Sequence, residues 1–475
     1  EINSKESDGL GTTISNFARW DKPEVNNGVV YQSMGGSNST TRIVSYITRA
    51  NYDYDNKYYL GASWRTDGSS RLARENRWGN FWSLSGAWRV SSESFMKPLQ
   101  NWLSDLKLRV SYGVNGTLPS SYYGYMGLSS LTSNYNDNPG ITQSQLENKE
   151  LTWETNYNFN SGIDLGFFDN RLNVTFEYYV RTTKNLLYSR PLSLATGFSS
   201  YLANIGKLQN KGYELEIRST NIETKDFRWS TSLNLGHNAN KILKLDGDLK
   251  QVTSGTSIHK VGLPYSTYYM IEFAGIDPAD GEPMFYKNTT DENGNLNKET
   301  TKDPRSAEKV ILQCADPTIT GGLGNSISYK WFDLNFNVNF SFGAWNYDGA
   351  AGKLEHGGDG TLNIPIYYRK RWQKEGDETS IERFVVGRSI SMTDYATTRR
   401  LYSGDYVRLK NLTFGFTLPK TWTRKVGIDN IRLYASGNNL LTWAAYDYID
   451  PESGSSPSWD TPPMRTYTFG LEVKF

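Results

Sequence analysis

Hydrophobic and polar residues alternate along most of this chain. The last ten residues show the pattern in its simplest form: Tyr467, Phe469, Leu471, Val473 and Phe475 alternate with Thr466, Thr468, Gly470, Glu472 and Lys474. A period of two places each set on its own face of a β-strand. The same alternation predicts about a dozen further strands, over residues 44–53, 58–65, 82–90, 106–112, 157–167, 172–181, 213–218, 229–235, 319–329, 332–342, 412–418 and 431–435. The segment at 332–342 fixes the class. Phe332, Leu334, Phe336, Val338, Phe340 and Phe342 share one face, while Asp333, Asn335, Asn337, Asn339 and Ser341 share the other. A strand so divided suits a sheet with lipid on one side and water on the other.

The connections alternate in length. Short ones fall at 55–56, 169–170, 223–226, 330 and 419–430, and long ones at 67–80, 113–152, 182–207, 241–317, 343–405 and 440–463. A helical or irregular connector is expected at 91–105, and the excursion at 241–317 carries extended structure of its own near Tyr268 to Phe273. Outer-membrane barrels combine short periplasmic turns with long extracellular loops. The expected fold is therefore all-β: a transmembrane antiparallel β-barrel with a periplasmic C-terminus. About thirteen crossings from that end put the N-terminus of this chain outside the cell. Single-chain bacterial barrels carry even strand numbers. The expectation is an extracellular loop over residues 1–40, rich in Gly, Ser and Asn, followed by the C-terminal part of a larger barrel over 41–475.

Composition supports this picture. Of 475 residues 37% are hydrophobic and 14% aromatic, so a chain of mean hydropathy -0.61 is nonetheless rich in rings that disordered chains lack. No stretch approaches the roughly 18 consecutive apolar residues of a membrane helix. With 51 Lys and Arg against 50 Asp and Glu, no net charge favours nucleic acid. The single Cys314 excludes an internal disulfide framework, and His237, His259 and His356 are too scattered for an obvious metal site. The first residues, Glu1 to Gly28, are polar, with no signal peptide, so an exported chain of this sequence is expected to be processed or a fragment.

Several short motifs carry a resemblance. Asp67-Gly68-Ser69-Ser70-Arg71, Asn76-Arg77-Trp78-Gly79 and Trp88-Arg89-Val90 are followed by Trp102-Leu103-Ser104-Asp105-Leu106-Lys107-Leu108-Arg109 and Ser111-Tyr112-Gly113. Then come Asn210-Lys211-Gly212-Tyr213-Glu214, Ala274-Gly275-Ile276-Asp277-Pro278 with Gly281-Glu282, Tyr406-Val407-Arg408-Leu409-Lys410-Asn411-Leu412-Thr413, Asn438-Asn439-Leu440-Leu441-Thr442-Trp443 and Arg465-Thr466-Tyr467-Thr468-Phe469-Gly470. In order and spacing over about residues 42–475, this series resembles the SusC/RagA-type TonB-dependent outer-membrane transporters. The resemblance implies about 13 strands of a plugged barrel of about 22. It also implies an N-terminal plug-containing portion of the same transporter, a SusD-like substrate-binding lipoprotein as lid, and the TonB complex acting through the plug. The implied function is active import of oligosaccharides or peptides across the outer membrane. Two alternatives are a self-contained passive porin and a surface β-rich glycan-binding protein; strand parity and the motifs disfavour the porin.

No enzyme is expected, since neither a Gly-x-Ser-x-Gly elbow nor a phosphate-binding loop occurs. No catalytic, cofactor or metal residue is assigned. The spacings Asp277/Asp280/Glu282 and Asp291/Asn293/Asn295 lack the glycine and distal Glu of a calcium loop, and Asn293-Gly294 suits a hairpin turn. Candidate contacts to ligand or lid are loop aromatics: Tyr122, Tyr123, Tyr125, Trp345, Tyr347, Tyr367, Tyr368 and Trp372. Flat amphipathic rings stack on sugars or pack on peptides; they also pack loops together. The lumenal charges Arg49, Arg65, Glu177, Glu214 and Arg218 are expected to pair with one another or with the plug.

Overall fold

The computed structural model describes residues 2–475 apart from 18–27, 136–137, 246–248, 292–293, 359–362, 387–394, 447–448 and 454–462. Fourteen strands form one sheet in sequence order. They are β1 (Ile2–Phe17), β2 (Gly28–Tyr54), β3 (Tyr58–Ser69), β4 (Trp78–Arg89), β5 (Leu103–Thr117), β6 (Glu154–Phe167) and β7 (Leu172–Lys184). The second seven are β8 (Lys207–Glu223), β9 (Phe227–Lys244), β10 (Ile319–Tyr329), β11 (Phe332–Phe342), β12 (Tyr406–Thr417), β13 (Asn430–Ala444) and β14 (Thr466–Lys474). Each of the thirteen alternating segments is one of these strands.

The fourteenth, β1, corrects the reading of residues 1–40 as loop. It ladders with β2 from Ile2↔Val44 to Phe17↔Gly28, whereas β3 takes over β2 from Ile43↔Ser69 to Tyr54↔Tyr58. The two ladders overlap only at Ile43 and Val44, so β1 and the first half of β2 make a hairpin continuing past the end of β3. A ladder needs only backbone groups. Without one apolar face the hairpin leaves no period-two signal to read. Its tip, 18–27, lies outside the described residues.

The chain packs as two units: Glu1–Trp88 with Arg109–Asn160 and Arg181–Leu208, and Arg89–Leu108 with Ser161–Val180 and Gln209–Phe475. In the first, Leu72, Phe81, Leu151 and Trp153 form a buried cluster. Phe81 meets Trp153 edge-on at 5.2 Å, and the Trp153 indole donates to the Arg77 carbonyl at 3.0 Å. In the second, Val90, Met96 and Leu103 pack under Leu106, Leu165 and Phe167, which holds the 91–105 connector, folded as two short 3-10 helices.

The short connections are tight turns that need left-handed residues. Asp55 and Asn56 have φ of 55° and 50°, and Asp169 and Asn170 have 55° and 60°. Asn and Asp tolerate that region better than most side chains. Neighbouring turns of the second unit are tied together. Phe168 N–H donates to the Trp102 carbonyl at 3.0 Å, and Lys330 N–H to the Asp226 carbonyl at 2.7 Å. On the strands the apolar set stays in the open: Tyr52, Leu60, Leu84, Val110, Phe414 and Leu433 are exposed, and Phe469 is 83% exposed.

Several of the sequence motifs turn out to be structural staples. Asp67 is buried and takes the Arg65 guanidinium at 2.6 Å, and Asp105 accepts from the Ser91 hydroxyl at 2.7 Å. Gly212 lies where a Cβ would stand 2.0 Å from the His237 carbonyl oxygen and 2.6 Å from the Tyr179 hydroxyl. Neither strand backbone nor ring has room to yield. Gly212→Val should therefore destabilise the sheet by about 1–3 kcal/mol or more, read as loss of the heat-resistant folded band in detergent gels. Gly236→Ala, whose Cβ would meet only Thr320 Oγ1 at 3.5 Å, should migrate as wild type.

Candidate functional site

The eight candidate aromatics fall into separate groups. In the first unit Tyr122 and Tyr123 sit edge-to-face at 6.5 Å. The Arg71 guanidinium lies 4.4 Å over the Tyr122 ring and donates to the Pro119 carbonyl at 2.9 Å, and the Tyr123 hydroxyl accepts from Thr40 N–H at 2.9 Å. Tyr125 packs against the Leu72–Trp153 cluster. These three rings are half-buried and hold the 113–152 loop to its own strands.

In the second unit Trp345 and Tyr347 belong to a short strand, Trp345–Tyr347, paired with Leu401–Ser403. Tyr367 and Tyr368 lie 5.9 Å apart on a 3-10 turn, Ile366–Lys370, and Tyr368 is fully buried. Trp372 stands apart from them: its indole donates to the Pro278 carbonyl at 2.9 Å, and its ring covers Gly281, whose φ of 72° already favours glycine.

The two tyrosines lead to a buried charge network that sequence reading missed. Tyr367 donates to Glu355 Oε1 at 2.5 Å, and Tyr368 donates to Glu382 Oε1 at 2.9 Å. Arg399 pairs with Glu382 through its Nη1 and approaches Glu355 at 3.6 Å. Arg400 reaches the same Glu355 carboxylate at 3.3 Å. Beside them Asp348 accepts from Tyr446 at 3.1 Å, and Tyr446 stacks on Tyr402 at 3.8 Å. Glu355, Glu382, Asp348 and Arg400 are all buried. Burial, then Glu355, pushes the Tyr367 hydroxyl well above the usual phenol range, and burial with Glu382 does the same for Tyr368. Burial alone would lower the Arg399 guanidinium, but Glu382 and Glu355 outweigh it and hold it charged. The network crosslinks both ends of the 343–405 excursion. Its partners lie up to 45 residues apart in sequence, so no local spacing announces it.

The Asp277 motif forms an ion cluster of its own. Lys302 bridges Asp277 at 2.6 Å and Asp280 at 2.8 Å, and Arg383 pairs with Glu282 at 2.7 Å. The Lys302 hydrogen bonds, then backbone donors, hold both aspartates below the ordinary carboxylate range. Among the described residues no group of His, Cys, Asp and Glu could hold a metal ion. Asn293 lies outside the described residues, but its flanks behave as a turn: Thr290 bridges Leu296, and Gly294 has a φ of 84°.

The polar face of the sheet carries a cavity of about 620 Å³ lined by Thr175, Glu177, Glu214, Glu216, Asn234 and Asn339, among others. A second, of about 320 Å³ on the same strands nearer the short turns, is lined by Arg171, Arg218, Ser232 and Asn337. Of the predicted lumenal charges, Arg65 pairs with Asp67, and Arg218 pairs with Glu216 at 2.5 Å. In the first unit, Tyr52, Leu60, Ala62, Leu84, Val110 and Tyr112 line an apolar groove of about 590 Å³.

Comparison with known proteins identifies the setting. The family described as TonB dependent receptor-like, beta-barrel, matches residues 5–440. The TonB-dependent receptor P3 of Formosa agariphila is 34% identical over 95% of this chain and 48% of its own length. The TonB-dependent receptor SusC of Bacteroides thetaiotaomicron is 30% identical over 91% of this chain and 44% of its own. The structure of the RagAB peptide transporter superposes with a TM-score of 0.85 at 29% identity, covering 100% of this chain and 52% of that one. The chain thus spans about half the length of the relatives it matches.

Two outcomes follow from the ion networks. Glu382→Ala strands Arg399 in a buried site, and should weaken the 343–405 excursion by about 3–5 kcal/mol, seen as faster proteolysis there with the strands still protected. The Asp277 and Asp280 shifts are downward, so their contribution is present above the unfolded carboxylate value of about 3.9 and is lost as pH falls through the lowered folded values. Amide exchange at Ala279 and Glu282, which donate to these carboxylates at 2.9 and 3.1 Å, should keep its protection factor from pH 7 to pH 5 and lose it only below the ordinary carboxylate range.

Proposed function

The chain belongs to the TonB-dependent receptor-like β-barrel family, and on that premise we propose that it is the barrel part of an active importer of oligosaccharides or peptides across the outer membrane of a Gram-negative cell. The observation that carries the reading is the two-faced sheet. Its apolar side chains stay exposed along strand after strand, while carboxylates, amides and hydroxyls line cavities on the other face. A family of transporters and receptors, not of enzymes, sets the context.

In this reading the apolar face meets lipid, and the polar face meets a plug contributed by the rest of a protein about twice as long. The short turns lie in the periplasm with the C-terminus. The long excursions and the segment leading into β2 lie outside, where a SusD-like lipoprotein closes over them. The inner-membrane TonB complex acts through the plug to open the path. The aromatic candidates Tyr122, Tyr123, Tyr125, Trp345, Tyr347, Tyr367, Tyr368 and Trp372 take part by shaping the loops that meet ligand and lid.

A charge on the lipid face discriminates this reading from a soluble sheet. Leu471→Lys should cost about 2–4 kcal/mol if the site lies near the bilayer midplane, and should abolish assembly into outer-membrane vesicles. Its neighbour Glu472→Gln should assemble normally. Equal assembly of both variants, or recovery of the wild-type protein in the soluble fraction, would remove the membrane reading.

A further inference from the structure

At the short-turn end of the second unit one connection is longer than its position requires. Lys330 and Trp331 alone join β10 to β11, yet residues 418–429 join β12 to β13. A β-hairpin loop needs only about two to five residues. The segment folds as a single helical turn, Lys420–Thr423, then a 3-10 turn, Arg424–Val426, and ends at Gly427 with a φ of 75°. Thr423 is buried, its hydroxyl between the Lys420 and Asp429 carbonyls at 3.5 and 3.4 Å. With Thr423 turned in, Lys420, Trp422, Arg424 and Lys425 are left exposed, Trp422 at 60%. Lys420 meets Asp429 at 3.4 Å, but among the described residues Arg424 and Lys425 have no acidic partner. The neighbouring turn adds exposed Lys330 and Trp331, and the Trp331 carbonyl accepts from Thr417 N–H at 2.8 Å. The apolar face of the strands begins at the same level: Phe332 stacks on Phe416 at 4.9 Å and on Phe414 at 5.9 Å.

We propose that this connection lies in the interfacial layer of the bilayer and binds the phosphate headgroup of an anionic phospholipid. The inference rests on the membrane reading above. Indole rings are favoured at headgroup level, where the ring body meets hydrocarbon and the N–H meets water. Trp331 immediately precedes Phe332, and Trp422 follows Phe416 by six residues, so both indoles sit where the phenylalanine wall gives out. Charge then selects the lipid. Lys420, Arg424 and Lys425 against Asp429 leave residues 418–429 with a net charge of +2. Basic clusters beside a membrane-embedded segment favour anionic headgroups, and a guanidinium meets phosphate through paired N–H donors. The other short connections carry no such excess: Asp169 offsets Arg171, and Glu223 and Asp226 offset Lys225 and Arg228. The site is therefore local to the β12–β13 connection. An acidic protein would match the charges alone, whereas the run of exposed rings from Phe414 through Trp422 is matched by hydrocarbon.

The test is native mass spectrometry of the intact transporter with its lipoprotein, stripped of lipid in detergent and titrated separately with phosphatidylglycerol and phosphatidylethanolamine. Wild type should bind phosphatidylglycerol more tightly, and glycerol 3-phosphate should not compete. Arg424→Gln with Lys425→Gln should weaken phosphatidylglycerol binding about 30-fold, the effect of two basic residues at an anionic surface, and leave phosphatidylethanolamine binding as it is. Lys250→Gln with Lys309→Gln removes the same charge from the excursion at the opposite end of the strands and should change neither. Heat-resistant migration shows that each variant is folded. Equal wild-type affinity for the two lipids would overturn the proposal, as would an undiminished preference in the Arg424 and Lys425 double variant. Full competition by glycerol 3-phosphate would overturn it too, by making the ligand a free phosphate compound. In whole cells Trp422→p-benzoylphenylalanine should crosslink to phospholipid on irradiation, and a crosslink to a periplasmic protein in its place would sink the lipid assignment. Wild-type protein that binds neither lipid and stays soluble without detergent would count against the membrane reading itself.

Discussion

Everything in this chain depends on one constraint: a backbone that crosses hydrocarbon must find all its hydrogen-bond partners within the protein. An antiparallel ladder meets it strand by strand, from the Tyr54↔Tyr58 end of the first hairpin of the wall to the Asn430↔Lys474 end of the last. Once the ladder is fixed, the pleat sends alternate side chains to two different solvents. The usual rule that apolar residues are interior is therefore inverted. Phe469, Leu60 and Tyr46 are among the most exposed large side chains, while charged Arg408 is buried between Asp450 and Glu452 at 2.6 and 2.7 Å.

Because register and pleat do so much, few positions need a particular residue, and those that do are the motif positions. Gly212 makes room for Tyr179 across the ladder. Asp67 and Asp105 each gather donors at the end of a strand. Arg408 secures the loop after β13 by reaching two acids and the Thr442 hydroxyl at 3.0 Å. These residues mark a family through architecture, and carry no information about cargo. The polar face is less constrained, since neither lipid nor backbone dictates the side chain there, and its amides, hydroxyls and carboxylates vary from strand to strand.

The strands were legible in the sequence because each is patterned by two environments at once. Phe332 to Phe342 could be placed within a residue, and so could both short turns carrying Asp-Asn or Asp-Asn-like pairs at 55–56 and 169–170. The hairpin of β1 was not legible, since a polar sequence without one apolar face leaves no alternation to read. The loop aromatics were found as residues, but not the partners that hold them. Tyr367 and Tyr368 are the entry to a charge network whose other members, Glu355, Glu382, Arg399 and Arg400, look like ordinary surface residues one at a time. Only the folded excursion brings them together.

That network explains how a long excursion stays folded without an apolar core of ordinary size. Among described residues of the excursion the buried side chains include Tyr368 and Ile381, but also Glu355, Glu382 and Arg400. A buried ion pair gains little net stability over an apolar pair of the same shape, because desolvation offsets the attraction. Its effect is on alternatives: an arrangement that separates Arg399 from Glu382 leaves two buried charges unpaired, whereas an apolar cluster tolerates slippage. Shared acceptors sharpen this, since Glu355 serves Tyr367, Arg399 and Arg400 together. Under the proposed function, in which a lipoprotein lid closes over this loop, excluding wrong conformations matters more than added stability. Placing charges where hydrophobes would fold as well is consistent with that need.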